Sequence, residues 1–222
     1  MYLQSPLPPI ILTLMKFIPF ILALILCACK AKTEEQNKAV TLFNGKDLTG
    51  WKGTGYMVKD GAISCTPKGK NLMTEKVYTN YVFDFEFKLP AGGNNGVGIH
   101  YPGEGDPAYV GMEVQVLDDT AEKYKTLKDY QFHGGLYTLQ AAKKGHLKPL
   151  GEWNHQKITV NDNKVTVELN GTIINEANLD ELAKKYPKHK GILRRSGHIT
   201  FCGHGDPVQF RNISVLELPS KS

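Results

Sequence analysis

Alternation of apolar and polar residues dominates this chain from residue 81 onward. In YVFDFEFKL (Tyr81 to Leu89), Phe83, Phe85 and Phe87 share one face, while Val82, Asp84, Glu86 and Lys88 take the other. That is the pattern of a half-buried antiparallel strand. GVGIHY (Gly96 to Tyr101), MEVQVLD (Met112 to Asp118), GGLYTL (Gly134 to Leu139), HQKITVND (His155 to Asp162), KVTVELNG (Lys164 to Gly171), GHITFCG (Gly197 to Gly203) and FRNISVLEL (Phe210 to Leu218) read the same way. Turn-forming stretches separate them, among them Pro90 to Gly96, Asn161-Asp162-Asn163 and Asn170-Gly171. The step from Asn161 to Lys164 joins two alternating runs and predicts a hairpin. One short helix is expected over Leu179 to Tyr186, ended by Pro187. Many short strands, glycine-rich connections and little helix predict an all-β sandwich or jelly roll.

The N-terminal end breaks this pattern. Lys16, the apolar run Phe17 to Leu26 and the small residue Ala28 before Cys29 have the layout of a lipoprotein export signal. Cys29 is then the lipidated first residue of the mature protein, and Leu26 makes Cys27 the poorer candidate. Residues 1–14 contain no Lys or Arg, so translation is expected to start at Met15. A membrane-spanning helix is the other reading, but Pro19 interrupts a run already shorter than roughly 18 residues. The expected organisation is a signal over 1–28, a polar lipidated tether over 29–39 and one domain over 40–218, held at a bacterial membrane on the outer-membrane or periplasmic side.

Composition narrows the partners. The net charge of +5 is modest, and the basic runs at Lys184 to Lys190 and Arg194-Arg195 lack any nucleic-acid signature, so they read as solvated surface. Past the signal only Cys65 and Cys202 remain; export permits a disulfide between them, while their apolar surroundings suit two buried thiols equally.

Six separated phrases go beyond pattern: TLFNGKDLTGWKG, GGNNGVGIHY, EVQVLDD, GEWNHQKI, VELNG and GHGDPVQFRNISV. In that order they resemble the 3-keto-disaccharide hydrolase domain family across nearly all of Val40 to Leu218. The resemblance implies a concanavalin-like jelly roll of two curved antiparallel sheets with a sugar-sized concave groove. It also implies an exported hydrolase or lyase that acts on glycosides already oxidised to a ketone at C3.

Parity along MEVQVLD places Met112, Val114 and Val116 on one face and Glu113 with Gln115 on the other. If the valines enter the core, Glu113 faces the groove as proton acceptor and Gln115 as reader of sugar hydroxyls; a solvent-side Glu is the plain alternative. An ordinary jelly-roll glycosidase uses paired carboxylates on one strand face, and here that register reads Glu113, Gln115 and Asp118, with an amide in the middle. A 3-keto sugar needs only one base to remove the proton on C2, a stabiliser for the enolate oxygen and an acid, after which water addition completes hydrolysis. His133 and His204 are further catalytic candidates, and His100, Trp153 and Arg211 join Gln115 as substrate-binding ones. Each histidine is otherwise a satisfied structural residue, Trp51 and Trp153 suit a core as well as sugar stacking, and Asp206 with Arg211 can instead pair to fix the loop carrying His204. No cofactor is required, although Glu113 with these histidines can be arranged around a divalent cation. The same fold also suits a noncatalytic carbohydrate-binding module.

Overall fold

The computed structural model describes residues 38–220. The export signal, Cys29 and nearly all of the tether lie outside these residues. The strands are β1 (Val40–Thr41), β2 (Trp51–Gly53), β3 (Tyr56–Lys59), β4 (Ala62–Cys65), β5 (Asn71–Thr74), β6 (Tyr81–Lys88), β7 (Asn94–Tyr101), β8 (Met112–Leu117), β9 (Trp153–Asn161), β10 (Lys164–Leu169), β11 (Thr172–Asn178), β12 (His198–Cys202) and β13 (Gln209–Glu217). They form two antiparallel sheets. The larger runs β11-β10-β9-β6-β13-β4-β3 with β1 paired to β13, and the smaller runs β2-β5-β12-β7-β8.

The sheets face each other across an aromatic core, which gives the expected concanavalin-like sandwich. Tyr81, Phe83, Phe85 and Phe87 from β6 are fully buried, as are Val97, Ile99, Met112, Val114 and Val116 from the smaller sheet. Phe201 of β12 stacks on Phe210 of β13 at 3.9 Å between ring centroids, joining the two layers, and on Trp51 of its own sheet at 5.3 Å. Burying each such side chain contributes about 2–3 kcal/mol. Trp51 belongs to this core, its indole N–H donating to the Leu42 carbonyl at 2.7 Å. Cys65 and Cys202 are both buried free thiols, so no bridge links them.

The hairpin forms as expected, with Asn161 paired to Lys164 and Asp162 in the left-handed region at φ 54°. Two short α-helices are present among the described residues, α1 (Pro107–Val110) and α2 (Leu179–Lys185). In α2, Asn178 caps the first turn by accepting from Asp180 and Glu181 amides, and Lys184 and Lys185 sit in the last turn, where they favour the negative end of the helix dipole. Residues 134–139 differ from expectation. They form turns instead of a regular strand, because Thr138 adopts φ 66° and Leu136 pairs back onto Gln140.

Candidate functional site

The outer face of the smaller sheet carries Glu113 and Gln115. Val114 points inward, so Glu113 and Gln115 point outward, and the register sets them opposite Gly98 and Gly96 of β7. Those glycines leave a hollow into which Glu113 leans. A Cβ on Gly96 would stand 1.7 Å from Glu113 Oε1, and one on Gly98 would stand 2.4 Å from Thr200 Cγ2 and 3.1 Å from Pro107 Cβ. Helix α1 therefore lies over the hollow. Asp106 caps α1 through Ala108 N (3.0 Å), His189 Nε2 donates to the Ala108 carbonyl (2.9 Å), and Arg194 Nε donates to that of Val110 (2.7 Å).

Enclosure changes the acid. Glu113 is only 6% exposed and its Oε1 has no hydrogen-bond partner. Desolvation first, and the nearby Asp106 charge second, push its pKa from 4.5 up to about 8, opposed by a hydrogen bond from the Cys202 thiol. A buried carboxylate made this basic is the kind of group that accepts protons near neutral pH.

Gln115 Nε2 donates to Asn94 Oδ1 at 3.1 Å, and the Asn94 amide donates to Asp206 Oδ2 at 3.0 Å. Asp206 thus ties the 203–207 loop to the start of β7, and the alternative pairing with Arg211 does not form, since Arg211 bonds Glu86 instead. That loop carries His204. Although His204 as a residue is exposed, its ring is desolvated enough to lower its pKa, with Asp206 and Asp106 acting the other way. Glu113, Gln115 and His204 are therefore brought to one side of the sheet, linked through Asp106 and Asp206.

The other candidates lie elsewhere. His133 sits between the sheets, 2% exposed and stacked on Phe87 at 5.1 Å, with burial lowering its pKa to about 4 against a contact from Gln156. His100 occupies a bulge in β7 at φ 54°, where register with β12 slips between His198 and Thr200; its Nε2 meets the Thr79 carbonyl and its ring meets Tyr81 edge-on. Burial, opposed by backbone contacts from Thr79 and Arg194, lowers its pKa. Trp153 and Arg211 stand on the outward face of the larger sheet, the opposite side of the sandwich. There Arg211 covers the Trp153 ring at 4.0 Å, Lys88 does so at 4.8 Å, and Arg211 pairs with Glu86 at 2.6 Å. The charged row that alternation assigns to the outside of β6 is what surrounds them. Both oxygens of Asp118 are committed, Oδ2 to Gly92 N (2.7 Å) and Oδ1 to Thr120 N and Oγ1 (2.9 and 2.6 Å). Glu113, His133 and His204 do not converge, and among the described residues no three His, Cys, Asp or Glu side chains cluster as metal ligands.

Three tyrosines that the sequence reading passed over complete the site. The segment after His133 runs beside β8, with Gly134 N bonded to Gln115 O (2.8 Å), Gln115 N to Gly135 O (2.9 Å) and Tyr137 N to Glu113 O (2.9 Å). This sets Tyr137 next to Glu113, with Tyr130 edge-on to it at 6.1 Å. Tyr109, on α1, is 51% exposed. Partial desolvation, followed by Tyr137, Asp106, Tyr130 and Glu113, raises its pKa, so these groups surround one another. Aromatic faces beside a carboxylate suit a sugar ring. Their sequence signal was faint, since DPAYVG and DYQF carry no alternation and GGLYTL reads as an ordinary strand.

The 3-keto-alpha-glucoside-1,2-lyase-like domain matches residues 38–216. A 3-keto-disaccharide hydrolase from Bacteroides thetaiotaomicron is 29% identical over 228 residues, covering 81% of this chain and 78% of that protein. Two crystal structures of proteins from Parabacteroides distasonis, provisionally named glycosyl hydrolases, superpose with TM-scores of 0.72 and 0.71 at 29% and 28% identity. They cover 82% and 84% of this chain and 100% and 97% of theirs. A carbohydrate-binding module from Bacillus subtilis shares the fold at TM-score 0.53 and 11% identity, covering 76% of this chain and 96% of its own.

Proposed function

Because this chain belongs to the 3-keto-alpha-glucoside-1,2-lyase-like domain family, we propose that it is a hydrolase or lyase that cleaves 3-keto-glycosides, 3-keto-disaccharides among them, by elimination. The observation that carries this reading is the enclosed carboxylate Glu113, raised to about 8, whose carboxylate neighbour Asp106 is engaged as the cap of α1. A C3 ketone acidifies the C2 proton. Glu113 takes that proton, the C2–H electron pair forms the enolate, and the enolate expels the C1 oxygen with its bonding pair. The departing oxygen gains a proton from the Glu113 carboxylic acid just formed or from water, while His204, its pKa lowered and so neutral in this range, offers a ring N–H to the substrate as a hydrogen-bond donor. Water then adds across the C1–C2 double bond to give the free 3-keto sugar. Gln115 and Asn94 read sugar hydroxyls.

An ordinary retaining glycosidase would need Asp118 as a second carboxylate, and that side chain is already spent on backbone and Thr120. The shared fold with a carbohydrate-binding module supports a noncatalytic alternative, in which sugars bind without turnover. The deciding assay follows release from a 3-keto-glucoside and its unoxidised parent, with and without chelator. Turnover of the keto form alone is expected, with kcat/KM rising through about pH 8 as Glu113 ionises. Glu113→Gln is expected to lower kcat by about 100- to 10,000-fold; unchanged turnover would remove Glu113 from the chemistry. The layout of Met15 to Cys29 supports export and a lipid anchor at Cys29 on the cell envelope, and loss of membrane association in Cys29→Ala is the corresponding check.

A further inference from the structure

Past Tyr109 the candidate site borders a cavity for which the chemistry above names no occupant. It measures about 460 Å³ and lies between Tyr109 and Thr138 on one side and the stretch Lys185 to His189 on the other. That volume is within the range of roughly 300–1,000 Å³ typical of small-molecule sites. Tyr109 belongs to both spaces, and Thr138 directly follows Tyr137, which flanks Glu113. The cavity is thus reached from the carboxylate across a single aromatic side chain.

Its walls are ring faces and aliphatic stems. Tyr109 lies 6.3 Å from the His189 imidazole, and the Lys185 stem crosses the Tyr186 ring with its ammonium 5.2 Å from the centroid. Thr138 Oγ1 and His189 Nδ1 are buried without a partner behind this wall, so neither presents a polar atom to the cavity surface. Thr138 also holds φ 66°, an expensive conformation for a β-branched residue. Such strain is commonly retained where a site uses it.

We propose that this cavity is the aglycone subsite and that it accepts an aromatic, phenol-type leaving group. The inference rests on the keto-glycoside reading above. A second sugar would present several hydroxyls to walls that supply few polar partners, whereas a flat ring matches Tyr109, Tyr186 and Pro187. Lys185 and Lys188 line the same space, and their positive charge favours the phenolate oxygen that receives the C1–O bonding pair before it is protonated.

The test uses the full-length protein with phenyl 3-keto-glucoside, methyl 3-keto-glucoside and a 3-keto-disaccharide, in wild type, Tyr109→Ala and Tyr109→Phe. The intrinsic difference between leaving groups is common to all three proteins, so the change in the phenyl-to-methyl ratio of kcat/KM reports the cavity. Tyr109→Ala is expected to lower that ratio about tenfold, and Tyr109→Phe to preserve it. Phenol itself, titrated into isotope-labelled protein, is expected to shift the amide NMR signals of residues 185–189. A ratio that is the same in wild type and Tyr109→Ala, or a disaccharide preferred over the phenyl glycoside, overturns the aglycone assignment while leaving the keto-glycoside activity standing. Phenol shifts at residues 185–189 without turnover of any substrate would sink the functional reading, and the aglycone assignment with it, leaving only an aromatic-binding cavity.

Discussion

Ionising Glu113 opposes folding, and replacing it with glutamine isolates the effect. The folded-state pKa of about 8 stands above the ordinary 4.5, so the folded chain keeps a proton that the unfolded chain releases from about pH 4.5 upward. The unfolded state then binds fewer protons, and stability falls as pH rises toward 8. The displacement corresponds to roughly 4–5 kcal/mol in full, of which roughly 3–4 kcal/mol falls between pH 5 and pH 8. Glutamine has nearly the same shape and cannot ionise, and every other titrating group is common to both proteins. Urea unfolding at pH 5 and pH 8, followed by tryptophan fluorescence, is expected to show the wild type losing about 3 kcal/mol more than Glu113→Gln over that interval. Equal losses in the two proteins would mean that Glu113 is hydrated and ordinary, and the argument for a strong enclosed base would fail.

Three further outcomes follow from the geometry. Gly96→Ala puts a methyl group 1.7 Å from Glu113 Oε1 at a position without positive φ, so circular dichroism should stay near wild type while kcat/KM on a 3-keto-glucoside drops about 10- to 100-fold. His133 has its pKa lowered to about 4, so the stability it contributes is present above pH 6.5 and lost as the pH falls toward 4. His133→Phe should reduce that acid-side loss by up to about 3 kcal/mol in urea titrations at pH 7 and pH 4, with turnover kept within about twofold. Trp153→Ala, on the far sheet, should leave steady-state kinetics within about twofold and cost about 1 kcal/mol of stability from its lost cation contacts.

What the sequence disclosed depended on one-sided burial. Strand β6 alternates because one face meets the core and the other meets water, and parity was enough to place Glu113 and Gln115 outward from β8. Strands β2 to β5 are three or four residues long, and Ala62–Cys65 is buried on both faces, so no alternation marked them. Strand β11 was missed because its pairing with β10 slips between Val167 and Glu168, which scrambles its pattern. Parity also cannot say which of two sheets an outward residue belongs to. Trp153 and Arg211 are substrate-binding candidates by sequence, yet their partners in register, Lys88 and Glu86, belong to the charged exterior of β6. His133, followed by two glycines, reads as a rim residue; the glycines instead allow its chain to turn tightly against Tyr130 and Ile174.

The way residues 134–137 lie along β8 has a consequence for behaviour in concentrated solution. A terminal strand with vacant amides and carbonyls is a template on which another molecule can add, and β8 ends the smaller sheet. Its vacancies at Glu113 and Gln115 are filled by the chain's own backbone at Gly134, Gly135 and Tyr137. The strand that bears the candidate base is thereby withdrawn from sheet-to-sheet self-association, and this glycine-containing strap acts as a built-in guard against aggregation at the margin of the candidate site.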